Sequence, residues 1–134
     1  MKLVFIGDIV GKEARETFIK KISDIKNQYK PDALVVNAEN AAAGYGVTKK
    51  IAVQLIEAGV DVITLGNHAW DQKEMLAYIE ECPKIVRALN YPSGVPGKGY
   101  YELTLNNEKK IIIMQIMLRL FMGLSFDDPF SVTK

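Results

Sequence analysis

Three short apolar runs, each closed by a polar cluster and each followed by a segment of helical spacing, constrain this chain more than any other feature. Lys2 to Ile6 is rich in β-branched and aromatic residues and ends at Gly7, which reads as a buried strand entering a loop. From Glu13 to Tyr29 the period changes: Ala14, Phe18, Ile22, Ile25 and Tyr29 fall on one helical face, and Pro31 stops the helix. Ala33 to Val36 repeats the strand pattern and runs into Asn37-Ala38-Glu39-Asn40, then a small-residue loop through Gly44 and Gly46. Thr48 is the expected N-cap of a second helix through Glu57, whose face carries Ile51, Leu55 and Ala58 before Gly59 ends it. Asp61 to Leu65 reads as a third strand, followed by Gly66-Asn67-His68. Asp71 and Glu74 have the spacing of a capping box for a third helix bearing Met75, Leu76 and Ile79 and ended by Pro83.

Strand and helix alternating at intervals of about thirty residues predict an α/β fold with a parallel sheet. Right-handed crossovers then gather the strand-to-helix loops along one edge of that sheet. Ile85-Val86-Arg87 is the expected fourth strand. Beyond it Gly94, Pro96, Gly97 and Gly99 mark a loop, and Tyr100 to Leu105 with Lys109 to Ile116 flank Asn106-Asn107 as a β-hairpin. A length of 134 residues suits one core, and no internal repeat is visible.

Composition narrows the partners. Lys and Arg number 17 against 16 Asp and Glu, a formal charge of +1, so no broad nucleic-acid-binding face is expected and any phosphate recognition must be local. The lone Cys82 excludes an internal disulfide and a cysteine zinc cluster, reads as a small buried or half-buried thiol, and fits a cytoplasmic location. Neither the short apolar start nor Ile111 to Leu118, interrupted by Gln115 and ended by Arg119, matches a signal peptide or a bilayer span.

Ligands of parallel sheets bind beyond the carboxyl ends of the strands. There the polar clusters fall: Asp8 after the first strand, Glu39 and Asn40 after the second, Asn67 and His68 after the third. Taken singly these are ordinary residues: Asp8 a turn or helix-cap residue, Asn37, Glu39 and Asn40 loop residues, His68 a structural imidazole. Their joint arrival at three successive strand ends gives a mixed oxygen and nitrogen donor set suited to iron, manganese or zinc.

Gly7-Asp8-Ile9-Val10-Gly11, Asn37-Ala38-Glu39-Asn40-Ala41-Ala42 and Gly66-Asn67-His68-Ala69-Trp70-Asp71 together resemble the YmdB-type branch of the calcineurin-like metallophosphoesterases. The likeness continues through Arg87-Ala88-Leu89-Asn90-Tyr91-Pro92, Pro96-Gly97-Lys98-Gly99 and Asp127-Asp128-Pro129-Phe130. It implies a metallophosphoesterase-like layered fold and a phosphodiesterase hydrolysing cyclic nucleotides of the 2′,3′-cyclic AMP type with a metal-bound hydroxide at a binuclear centre. It further implies that Asp8 and Asn40 bind one metal, Glu39 bridges two, Asn67 binds the second, and His68 donates a proton. Iron is the first expectation, with manganese or zinc as alternatives. Val10 stands where the wider superfamily usually has a histidine, a difference this branch allows. Lys98 and Arg87 read as solvated surface groups rather than phosphate ligands.

The resemblance also implies a second half of similar length carrying three further histidine ligands, whereas His68 is the sole histidine here. Residues 1–134 are therefore expected to form a partial, N-terminal half-domain with an open sheet edge and an uncovered apolar face. Such a chain would be a fragment, a frameshifted product or one completed by a partner chain, including a second copy. Two other readings remain: a non-catalytic nucleotide-binding or interaction module on the same scaffold, and a dinucleotide-binding domain. The first loop lacks the G-x-G-x-x-G spacing that the latter needs.

Overall fold

The computed structural model describes residues 1–134. Strands β1 (Leu3–Ile6), β2 (Ala33–Asn37), β3 (Val62–Thr64) and β4 (Ile85–Val86) form a parallel sheet in sequence order. Between them run helices α1 (Gly11–Tyr29), α2 (Lys49–Glu57) and α3 (Met75–Glu81). Strands β5 (Tyr100–Thr104) and β6 (Lys110–Met114) form an antiparallel hairpin. The expected α/β class, the parallel sheet and the hairpin are all present.

Sequential strand order has a direct consequence. Each right-handed crossover steps the same way across the sheet, so all three helices land on one face. There Phe18 and Ile22 of α1, Ile51, Ala52 and Leu55 of α2, and Met75 and Ile79 of α3 pack on Leu34, Val36, Ile63 and Ile85. Burying each such large apolar side chain contributes roughly 1.5 to 3 kcal/mol. Registers Phe5↔Val35, Val35↔Val62 and Thr64↔Val86 put the alternate residues on the opposite face. On that side Tyr101 and Ile113 of the hairpin cover Val35, Val62 and Val86.

Several expectations change at the level of side chains. The first strand, read as buried, lies at the sheet edge, and its Leu3 and Phe5 are 45% and 54% exposed. Its apolar run resembles that of a central strand, but the hairpin does not reach its outer face. Within α1 only Phe18 and Ile22 are fully buried; Ala14 and Tyr29 are exposed because the sheet lies beneath the middle of the helix. Thr48 caps α2 as expected, its Oγ1 accepting from the N–H of Ile51 at 3.2 Å. The capping box at Asp71 and Glu74 does not form: α3 starts at Met75 with no side-chain cap. Both carboxylates have better partners, Asp71 on the His68 ring and Glu74 on the N–H of Lys49 at 2.7 Å, where it helps to cap α2 instead. Cys82 is half-buried, as read.

Two polar side chains fix the segments after β4. Arg87 is half-buried rather than a fully solvated surface group: its guanidinium donates to the carbonyls of Ala88 at 2.7 Å, Pro96 at 3.1 Å and Val95 at 3.3 Å. Burial lowers its pKa from the ordinary arginine value. Asn90, fully buried, donates to the carbonyls of Met117 and Asp127 and accepts from the N–H of Met117, pinning the C-terminal segment.

Candidate metal centre

The loops that follow β1, β2 and β3 are tied together by backbone bonds that continue the parallel pairing past the strands. Ile9 N–H donates to Asn37 at 3.1 Å, Gly11 N–H to Asn40 at 2.9 Å, and Ala38 N–H to Thr64 at 3.1 Å. These bonds place the side chains of three loops side by side. Asn40 Nδ2 donates to Asp8 Oδ2 at 2.8 Å, joining the first two loops. The N–H of His68 donates to Glu39 Oε2 at 3.4 Å, joining the second to the third.

Local geometry aims Glu39. Its own N–H donates to Asn37 Oδ1 at 3.1 Å, an Asx-type turn, while Asn37 Nδ2 donates to Glu39 Oε1 at 3.3 Å. The carboxylate then lies against Gly66, where any Cβ would overlap both of its oxygens. Gly66 is therefore needed for close approach. Its carbonyl accepts from the buried hydroxyl of Tyr91 at 3.2 Å. Tyr91 is held edge-on between Trp70 and Phe126, with centroids 5.8 and 4.9 Å away.

Electrostatically the cluster is acidic and lacks a cation. Neither Asp8 nor Glu39 takes part in any of the salt bridges of the chain. Burial first, then the charges of Glu39 and Asp71, push the Tyr91 hydroxyl up to about 12. Two carboxylates with hydrogen bonds from neutral amides alone, beside further side-chain oxygens, fit a hard or borderline cation. The fit is partial, since no three His, Cys, Asp or Glu side chains converge anywhere in the chain.

Each residue singled out in the sequence can now be placed. Asp8, Glu39 and Asn40 lie in one hydrogen-bonded group, and His68 joins it through its backbone. Asn67 stands between Gly66 and His68, half-buried, with no side-chain hydrogen bond of its own. The His68 ring makes no hydrogen bond to Glu39; its Nδ1 bonds Asp71 Oδ2 at 2.6 Å, and the Tyr45 ring stands edge-on 6.0 Å away. Sequence reasoning gave no role at the site to Gly66, Tyr91 or Tyr45 and took Asp71 for a helix cap. Only Gly66 carried a local signal, a glycine between a strand and a polar pair.

A family model described as YmdB-like protein matches residues 4–134. This chain belongs to the YmdB-like family. A 2′,3′-cyclic-nucleotide 2′-phosphodiesterase of Bacillus subtilis is 42% identical over 130 residues, covering 97% of this chain and 48% of the relative. A solved structure of a hypothetical protein from Thermus thermophilus superposes with TM-score 0.90 at 41% identity, over 99% of this chain and 51% of that one. A phosphatase from Mycoplasma pneumoniae superposes with TM-score 0.89 at 33% identity, over 99% and 49%. The chain thus spans about half the length of the relatives it matches. No helix of this YmdB-like chain is long and apolar enough to cross a membrane.

Proposed function

We propose that the strand-end cluster is one side of a metal-dependent centre that hydrolyses phosphodiesters of small cyclic nucleotides. The observation that carries this reading is the unpaired acidic group of Asp8 and Glu39, braced by Asn37 and Asn40 at the edge where three loops meet. The donors that would hold metal are Asp8, Glu39, Asn40 and Asn67, with Glu39 between the Asp8 and Asn67 sides. Two ions are proposed, iron first and manganese or zinc as alternatives, since carboxylate and amide oxygens suit such cations. When bound, they would polarise phosphoryl oxygens and acidify water. Turning the Asn40 amide about its last torsion would present Oδ1 in place of the nitrogen that now faces Asp8.

The remaining work falls to the chain itself. Gly66 leaves room for the Glu39 carboxylate, and Tyr91 fixes the Gly66 carbonyl from below. His68 is proposed to protonate the leaving ribose oxygen, a contribution of about 10² to 10⁴ in rate for general acids. The missing nitrogen ligands would come from a further segment or a second chain, including a second copy of this one. A cytoplasmic setting suits such substrates.

The test is to titrate the purified chain with Fe and Mn, count metals bound, and assay 2′,3′-cyclic AMP hydrolysis beside an Asn67→Ala, His68→Ala control. Two metals per chain with turnover lost in the control support the proposal. Absence of retained metal and unchanged behaviour of the control overturn it. The lack of three converging ionisable ligands favours a second reading, a non-catalytic nucleotide-binding module. Nucleotide binding without metal would select that alternative.

A further inference from the structure

We infer that Asp71 is the positioning residue for His68, holding the imidazole through Nδ1 and leaving Nε2 as the ring nitrogen available for proton transfer; this rests on the proton-donor role proposed above. The bond from Nδ1 to Asp71 Oδ2 is 2.6 Å, and both side chains are about a third exposed, 31% and 35%. No other hydrogen bond within the chain engages the ring. A neutral imidazole carries its proton on one nitrogen only, and a carboxylate is an acceptor only. The neutral ring must therefore carry its proton on Nδ1, with a free lone pair on Nε2. A charged ring in the same pose would carry its transferable proton on Nε2.

Asp71 reaches this place because the turn that carries it is held from several sides. Asp71 N–H donates to the His68 carbonyl at 3.4 Å, closing the turn, and Ala69 inside it is fully buried. A Cβ at Gly46 would stand 2.9 Å from the His68 carbonyl, so the loop of residues 41–46 lies directly against the turn. Gln72 Nε2 donates to the Tyr45 carbonyl at 2.7 Å, which ties the two loops together. The Tyr45 ring, edge-on to His68, closes the other side. Since α3 begins four residues later without a side-chain cap, Asp71 has no helix-capping duty to explain its place.

Because His68 is the only histidine, the imidazole nitrogens can be read by ¹⁵N NMR of the intact chain without assignment ambiguity. The spectrum is recorded metal-free at a pH where the ring holds one proton. In the unaltered chain Nδ1 is expected at the protonated, pyrrole-like shift and Nε2 at the unprotonated, pyridine-like shift. Asp71→Ala should return the ring to the Nε2–H form that an unconstrained histidine side chain prefers, and Asp71→Glu should restore the Nδ1–H form at least in part. An unaltered chain with its proton mainly on Nε2 overturns the inference even if the variants fail to fold. A folded Asp71→Ala that keeps the Nδ1–H form overturns it equally. Turnover is not needed for this readout, so a positive result in a chain that retains no metal and shows no difference from the control would sink the proposed function while leaving the Asp71 assignment standing.

Discussion

The two faces of the central sheet are built from the same kinds of residue and are covered very differently. On the helix side, Leu34, Val36, Ile63 and Ile85 belong to a continuous cluster of 21 buried residues reaching from Ile9 to Phe126. On the other side only Val35, Val62 and Val86 are buried together, beneath Tyr101 and Ile113, and Leu3 and Phe5 on the same face stay exposed. Three helices cover their face so that even Val4 and Ile6 of the edge strand are partly buried, whereas one hairpin covers three strands of four. The acidic cluster sits at the ends of these strands, in loops whose Ile9, Ala38 and Ala41 belong to the larger cluster. A loop site whose side chains must stay aligned gains from being anchored on the rigid part of the scaffold.

If this contrast in packing sets stability, substitutions should grade by face. Leu55→Ala, in the helix layer, should cost about 2 to 5 kcal/mol in urea unfolding. A cost below about 1 kcal/mol would mean that the helix layer is looser than its burial indicates.

The hairpin side holds the one buried side-chain oxygen without a partner, Oγ1 of Thr64. An unsatisfied buried hydroxyl costs about 1 to 3 kcal/mol, so Thr64→Val should raise the unfolding midpoint by part of that amount. An unchanged or lower midpoint would show that the hydroxyl finds an acceptor.

Tyr91→Phe removes the bond to the Gly66 carbonyl and should cost about 0.5 to 1.5 kcal/mol at neutral pH. It also carries a pH signature. The hydroxyl is raised from the ordinary 10 to about 12, so between these values the unfolded chain loses its proton first. Stability from this group is whole below pH 10 and is lost as pH rises through 12. The alkaline fall in Tm should therefore be shallower in Tyr91→Phe than in the unaltered chain, and equal slopes would refute the assignment.

Smallest of all, Phe5→Ser on the bare edge should change stability by no more than about 0.5 kcal/mol, since Phe5 is half exposed. Its effect should instead appear as weaker self-association in sedimentation, because the exposed ring is removed from the open edge. A large loss of stability would mean that Phe5 is covered after all.

Much of the fold was legible because element type is written in local period. Phe18 and Ile22 at helical spacing, Ala33 to Val36 as an unbroken apolar run, and Thr48 before Ile51 each specify their structure with information a few residues long. The acidic cluster was legible for a related reason: topology alone brings the residues after parallel strands to one edge, so Asp8, Glu39 and Asn40 could be grouped from position. The roles of Asp71, Glu74 and Arg87 were not. Each has a short-range use that its sequence neighbours suggest, and each found a better partner in the folded chain: the His68 ring, the start of α2 and a loop of carbonyls.

The sequence by itself thus determined the order of elements, the parallel sheet with its crossover helices, and the strand-end position of the candidate ligands. Only the tertiary structure decided that β1 would be an exposed edge, that Gly66 would yield its side to Glu39, and that Asp71 would face His68. The physical reason is that backbone periodicity is a local property, while a polar side chain pairs with whichever donor or acceptor the completed packing brings within about 3 Å.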